Sequence, residues 1–299
     1  MTAEPAERPF VDRPVGDPAR ATAAAARAVD HWALPEPVLA RVGMSAIFTT
    51  GDVVLRVATP SAPAEAALAL AALLDATGVR VARPARPDVV RHDGMSVTAW
   101  ERLRPIAEPP DWAAVGAMVA RIHDLERSEL PSAYPVPPAA SFPWWQFATL
   151  LGEVGDLLDA PARAGIDRAI KRHGWWTSRP ADTVCHGDVH PGNVVSTERG
   201  PVLIDWDLLC VAPAGWDHAM LLRIERWGGD PSAYAAFADG YGRSLADDDV
   251  AIAIAELRLV AATLMRLRAG RGDPAALPEA LRRLAYWRGD HDAPTWHAV

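Results

Sequence analysis

Two rhythms of apolar and polar positions run along this chain. Over residues 38–58 the apolar side chains are largely β-branched and come in short runs, broken at Gly43 and at Gly51-Asp52. That pattern predicts three antiparallel strands, 38–42, 46–50 and 53–58. Residues 19–34 ahead of them are alanine-rich and predict a helix. Behind them, "APAEAALALAALLDA" over 62–76 predicts a second helix, with Gly78 as its stop. "DVVRHDGMSVTAWERLRP" then turns at His92-Asp93-Gly94 and predicts two more strands. Residues 35–103 are therefore expected to form a five-stranded antiparallel sheet with one inserted helix.

Beyond Pro105 the rhythm changes from strand to helix. In "DWAAVGAMVARIHDLER" the apolar Val115, Met118, Val119, Ile122 and Leu125 share one helical face, and Asp111 stands at the N-cap position. Further helices are expected at about 144–159, 161–173, 214–227, 231–243, 246–269 and 274–288, with Asp247, Asp248 and Asp249 as an N-cap region. Between them lies a polar loop, "TVCHGDVHPGNVV", followed by a short strand at 201–205. The expected class is α+β: a small antiparallel β lobe, then a larger helical lobe that contains the loop. The domain division is a flexible N-terminal tail over 1–18, an N-terminal lobe over 19–103 and a C-terminal lobe over 104–299.

Composition narrows the class. Half of the 299 residues are hydrophobic and 23% are charged, which suits a soluble globular chain rather than a disordered one. No apolar run is long enough to span a membrane. The first twenty residues mix both charge signs with four prolines and have no apolar h-region, so they read as a tail rather than a signal peptide. Two cysteines, Cys185 and Cys210, do not make a disulfide framework and favour a reducing cytoplasm. A net charge of −8 argues against nucleic acid as partner. Lys171 is the only lysine, so any cationic chemistry elsewhere falls to arginine.

The polar loop carries the chemistry. Asp188 can accept or orient the proton of a substrate hydroxyl. Asn193 and Asp205 offer oxygen to a hard cation such as Mg²⁺, which takes few protein ligands and keeps substrate phosphates for the rest. A hairpin pairing 194–196 with 202–204 would return Asp205 to Asn193, with Asp188 alongside. That arrangement suits phosphoryl transfer, where positioning and charge neutralisation supply most of the catalysis.

"HGDVHPGN" followed by "VLIDWD" resembles the catalytic segment of the aminoglycoside phosphotransferase family, small-molecule kinases of protein-kinase-like fold. "VARIHDLE" resembles the family's helix after the interlobe linker, and the likeness extends over about residues 37–290. The resemblance implies a two-lobe kinase-like fold, a Mg²⁺-dependent transfer of the γ-phosphoryl of ATP or GTP, and a small-molecule hydroxyl acceptor. It implies Asp188 as the catalytic carboxylate and Asn193 and Asp205 as metal ligands. His186 would bond backbone near Asp205, and Asp217 would brace the loop. His190 reads as structural; Asp207 reads as either a ligand or a supporting carboxylate.

The family pattern bends in the small lobe. The phosphate-gripping lysine is replaced by Arg56, whose fork holds phosphate bidentately, and Glu65 is nominated as its helix partner. Ser45, in the glycine-poor turn Gly43-Met44-Ser45, would cap phosphate, and backbone around Glu101 and Leu103 would meet the base. Acids at Glu225, Asp230, Asp239 and Glu256 favour a cationic acceptor, an antibiotic ahead of a metabolic alcohol or amino alcohol. Two further readings stand beside these: a metal phosphoesterase, for which the upstream and downstream histidine motifs are lacking, and a nucleotide-binding relative of weak turnover. Oligomeric state is not legible.

Overall fold

The structure is a computed structural model and describes residues 9–10 and 13–297. A small antiparallel sheet packs against a larger helical region in a two-lobe, kinase-like arrangement. The sheet runs β1(Val38–Val42)-β2(Ala46–Thr50)-β3(Val53–Ala58)-β5(Met95–Glu101)-β4(Val90–His92). The strand breaks fall where Gly43 and Gly51 interrupt the apolar runs. Helix α1 (Pro18–Trp32), capped by Asp17, lies on one face of this sheet. Its alanines interlock with Ala46, Phe48, Leu55, Val57, Val97 and Ala99. Alternation then sends Arg56 and Thr98, cross-strand partners, to the opposite face. Helix α2 (Ala64–Ala76) follows β3.

The expected tail is partly outside the described residues. Where described, it packs: Phe10 is buried and stacks on Tyr134 with ring centroids 4.8 Å apart, and Val15 joins the core under α1. These two apolar side chains find covered sites, Phe10 beside Tyr134 and Val15 beneath α1.

The helical lobe begins with α3 (Trp112–His123), whose cap Asp111 accepts from Ala114 N at 3.0 Å. The apolar face read from sequence is the buried one: Val115, Met118, Val119 and Ile122 are all within 3% of full burial. Each such side chain stabilises the fold by roughly 1.5–3 kcal/mol. Helix α3 crosses α7 (Ser232–Tyr241) at backbone contact, because a Cβ on Gly116 would sit 2.0 Å from Phe237 O and one on Gly240 1.8 Å from Ala113 O. Helices α4 (Phe147–Val154), α5 (Ala160–His173), α8 (Asp249–Gly272) and α9 (Leu277–Arg288) build the second core, around a cluster of Phe142, Trp145, Trp176 and Trp216.

Two expectations change. The single helix expected over 214–227 is instead α6 (Gly215–His218) followed by a 3-10 segment, Leu221–Trp227, which is itself kinked where Arg223 leaves helical dihedrals at φ −126°. A two-stranded sheet, β6 (Thr183–Cys185) against β9 (Cys210–Ala212), frames the polar loop and was not expected at all.

Candidate active site

The polar loop leaves β6 at His186 and re-enters regular structure at β7 (Val194–Thr197), which pairs with β8 (Gly200–Leu203) as the hairpin expected from sequence. Ile204 N donates to Asn193 O at 3.0 Å, closing the hairpin one residue before Asp205. Asn193 and Asp205 therefore sit at the same open end. Asp205 holds φ +65° and ψ +68°, the left-handed region that side chains other than glycine adopt rarely and mostly at functional positions. Tyr134 donates from its hydroxyl to Trp206 O at 2.8 Å, pinning the backbone just after it. Leu203 N donates to Arg80 O at 3.0 Å, tying the hairpin to the small lobe.

Asp188 is engaged on both oxygens. Oδ1 accepts from Arg258 at 2.6 Å. Oδ2 accepts from Asn193 Nδ2 at 3.2 Å and lies 3.3 Å from His190 Nε2. Burial alone would raise this carboxyl, but the His190 contact and the Arg258 charge outweigh it and bring it down to about 2. It is an anion at any physiological pH. His190 Nδ1 accepts from Gly192 N at 3.1 Å, so the ring proton sits on Nε2 and faces the carboxylate. The Asn193 amide also donates to Asp188 O at 2.9 Å, which leaves its carbonyl oxygen on the other side.

The loop's shape is fixed from beneath. His186 is fully buried; its Nε2 meets Ile204 O at 3.1 Å, and its Nδ1 accepts from Asp188 N at 3.2 Å. Burial lowers its pKa, so the ring is a neutral spacer between the loop and the strand that leads to Asp205. Asp217 accepts from His186 N at 2.8 Å, Gly187 N at 2.9 Å and His123 Nε2 at 3.1 Å. His123 meets the Tyr241 hydroxyl at 2.9 Å through its other nitrogen. Gly187 turns at φ +93°, and a Cβ there would lie 1.9 Å from Leu208 O. His186 and Asp217 are each hydrogen-bonded to the backbone of this segment.

Among the described residues, His123, Cys185 and Asp217 also form a group whose ligand atoms lie within 4.8 Å of one another. This is a brace rather than a metal site: both Asp217 oxygens already hold N–H donors, and burial pushes the Cys185 thiol well above its usual range. The open end with Asn193 and Asp205 offers the hard oxygen donors that Mg²⁺ takes.

Arg56 meets a different partner from the one expected. Its fork lies on Asp207, with Nη1–Oδ1 at 3.0 Å and Nη2–Oδ2 at 2.5 Å, while Glu65 pairs with Arg91 at 2.7 Å on the surface. The side chain of Glu65 is tied to a strand edge, and Asp207 of the large lobe takes the position assigned to it. Ser45 lies in the β1–β2 turn, where Gly43 N donates to Ser45 O at 2.9 Å. Glu101 N already donates to Arg83 O at 2.8 Å, so its backbone can serve a base only through the carbonyl; Leu103 is half-buried just beyond β5. Glu225, Asp230 and Asp239 are exposed, whereas Glu256 accepts from the Tyr286 hydroxyl at 3.0 Å and faces Arg223.

The sequence profile of the phosphotransferase enzyme family matches residues 45–259. The chain belongs to this family. It is accordingly a phosphotransferase of the kinase type, and the matched span contains β2 to β5, the loop, Asp205, Asp217 and Arg258. Solved structures agree in fold. The spectinomycin phosphotransferase APH(9)-Ia, in complex with ADP and spectinomycin, superposes with a TM-score of 0.63 at 14% identity, over 87% of this chain and 94% of that one. The GDP complex of aminoglycoside 2'-phosphotransferase-IIIa gives 0.68 at 17% identity, over 90% and 97%. A choline/ethanolamine kinase family protein from Mesorhizobium loti gives 0.63 at 17%, over 91% and 93%. No curated protein matches the chain in sequence. Of the site's residues, sequence reasoning passed over Arg258. Its signal was a lone cation in the apolar run "AIAIAELRLVAATLM", where a charge is buried only with a partner.

Proposed function

We propose that this phosphotransferase moves the γ-phosphoryl group of ATP or GTP, with Mg²⁺, to a hydroxyl of a small molecule. The observation that carries this reading is a single open end where Asn193, Asp205 and the anionic Asp188 converge. Asn193 and Asp205 would hold Mg²⁺, which supplies neutralisation of phosphate charge when bound. Arg56, steadied by Asp207, would grip the phosphates, with Ser45 covering them and the linker at Glu101 and Leu103 meeting the base.

Asp188 orients the acceptor. A carboxyl held near 2 is a weak base, so it accepts a hydrogen bond from the hydroxyl and takes the proton only as the new P–O bond forms. That order suits a loose transition state, where little proton removal is needed before transfer. His186 and Asp217 hold the loop so that this geometry is present before substrate arrives.

An antibiotic hydroxyl remains the first acceptor to test, and an amino alcohol the second. Glu256 supports a cationic acceptor least among the four acids, since a tyrosine and an arginine already face it. The reading of weak turnover has one observation on its side, the Arg56 fork already lying on Asp207. Calorimetry with ATP and GTP, with and without Mg²⁺, tests donor and metal. A screen with γ-labelled nucleotide over aminocyclitol, aminoglycoside, macrolide and amino-alcohol acceptors tests the rest. Absence of Mg²⁺-dependent binding of either nucleotide would sink the proposal, and binding without transfer would favour the weak relative.

A further inference from the structure

Arg258 stands on α8, seventy positions from Asp188 in sequence, yet touches it. Its Nη2 donates to Asp188 Oδ1 at 2.6 Å, and its Nη1 donates to Gly187 O at 3.0 Å. Trp216 Nε1 donates to that same carbonyl at 2.9 Å, and the guanidinium lies 5.3 Å over the Trp216 ring. The Arg258 side chain is 12% exposed against 26% for Asp188, so the cation is the deeper member of the pair. A planar fork that bridges a backbone carbonyl and the next residue's carboxylate fixes the rotation of that carboxylate. Lysine could neutralise Asp188, but its rotating ammonium sets no plane for the carboxylate.

Counting donors locates the remaining acceptor position. A carboxylate offers about four lone-pair sites. Oδ2 is occupied by Asn193 and faces His190; among the described residues, Oδ1 is occupied by Arg258 alone. The open lone pair is therefore on Oδ1, the oxygen that Arg258 grips.

We infer that Arg258 is a positioning residue for the transfer: its fork, stacked on Trp216, aims the free Oδ1 lone pair of Asp188 at the acceptor hydroxyl. The inference rests on Asp188 being the hydroxyl-orienting carboxylate. It predicts an effect on turnover and none on nucleotide binding, because the guanidinium bonds to Gly187 O and Asp188 Oδ1 and, among the described residues, to neither Asn193 nor Asp205.

The test uses the full chain, with water as acceptor and release of labelled phosphate from whichever of ATP and GTP binds with Mg²⁺. Arg258→Met should lower kcat about 10²-fold, the cost of a misaligned reacting group, with the nucleotide KM unchanged. Arg258→Lys should fall nearly as far despite keeping the charge, and added methylguanidine should restore part of the activity to Arg258→Ala. The double variant Asp188→Asn/Arg258→Met should be no slower than Asp188→Asn alone. It removes both charges together, so it also serves if Arg258→Met alone does not fold. Additive losses in the double variant, or an Arg258→Lys that matches the parent, would overturn the positioning role. Parent-like turnover of Asp188→Asn would instead overturn the Asp188 reading beneath it.

Discussion

Replacing Asp217 by asparagine tests how much of this site is prepared before substrate arrives. The carboxylate is buried and accepts three hydrogen bonds, from His186 N, Gly187 N and His123 Nε2. An amide of the same shape has one acceptor oxygen, so whichever way it turns, a backbone N–H faces an NH₂ group. One orphaned buried donor costs about 1–3 kcal/mol, and losing the charge from the bonds that remain costs about 1 kcal/mol more. The expected destabilisation is about 2–4 kcal/mol, a large share of the ~5–15 kcal/mol that holds a domain folded. Urea unfolding followed by tryptophan fluorescence measures it. Acid dependence supplies a second readout. Burial would raise the Asp217 carboxyl, but the His123 contact outweighs it and holds it below the usual carboxylate range. A depressed folded value means that the stabilisation is complete above about pH 4 and is lost as pH falls through the folded value. The gap between parent and variant should therefore narrow below about pH 4. A variant within about 0.5 kcal/mol of the parent at neutral pH would refute the brace.

Asp205→Ala should weaken nucleotide binding in the presence of Mg²⁺ and leave binding in EDTA unchanged; calorimetry in both buffers checks it. Asp207→Asn should raise the nucleotide Kd whether or not Mg²⁺ is present, and the double variant with Arg56→Met should be no worse than Arg56→Met, as a double-mutant cycle read by calorimetry would show. Glu65→Gln should change stability by less than about 1 kcal/mol and leave the nucleotide KM alone, because its partner Arg91 is an exposed surface ion pair.

What sequence made legible was what neighbouring residues decide. Glycines punctuate β1, β2 and β3, and the strand bounds follow from them. The loop residues His186, Asp188 and Asn193, with Asp205 one hairpin away, are fixed by local chain geometry. The three-residue strands β6 and β9 carry no period to read, and their pairing depends on the lobe closing around them. Arg56 and Asp207 meet across 151 positions, and Glu65 was nominated by helix position alone. A helix acid beside a strand cation is a local guess; which carboxylate the fork meets is decided by how the lobes dock.

The crossing of α3 and α7 has a consequence that distance from the chemistry conceals. His123 ends α3 and Tyr241 ends α7, and their side chains meet, so the packing of the two helices bears on the ring that supports Asp217. The helices' close approach is set by the missing side chains of Gly116 and Gly240. A single methyl at either glycine would force the two backbones apart and loosen the His123–Tyr241 contact behind Asp217 without touching a residue of the loop. At these two positions, far from the substrate, the missing side chain is itself part of what holds the loop in shape.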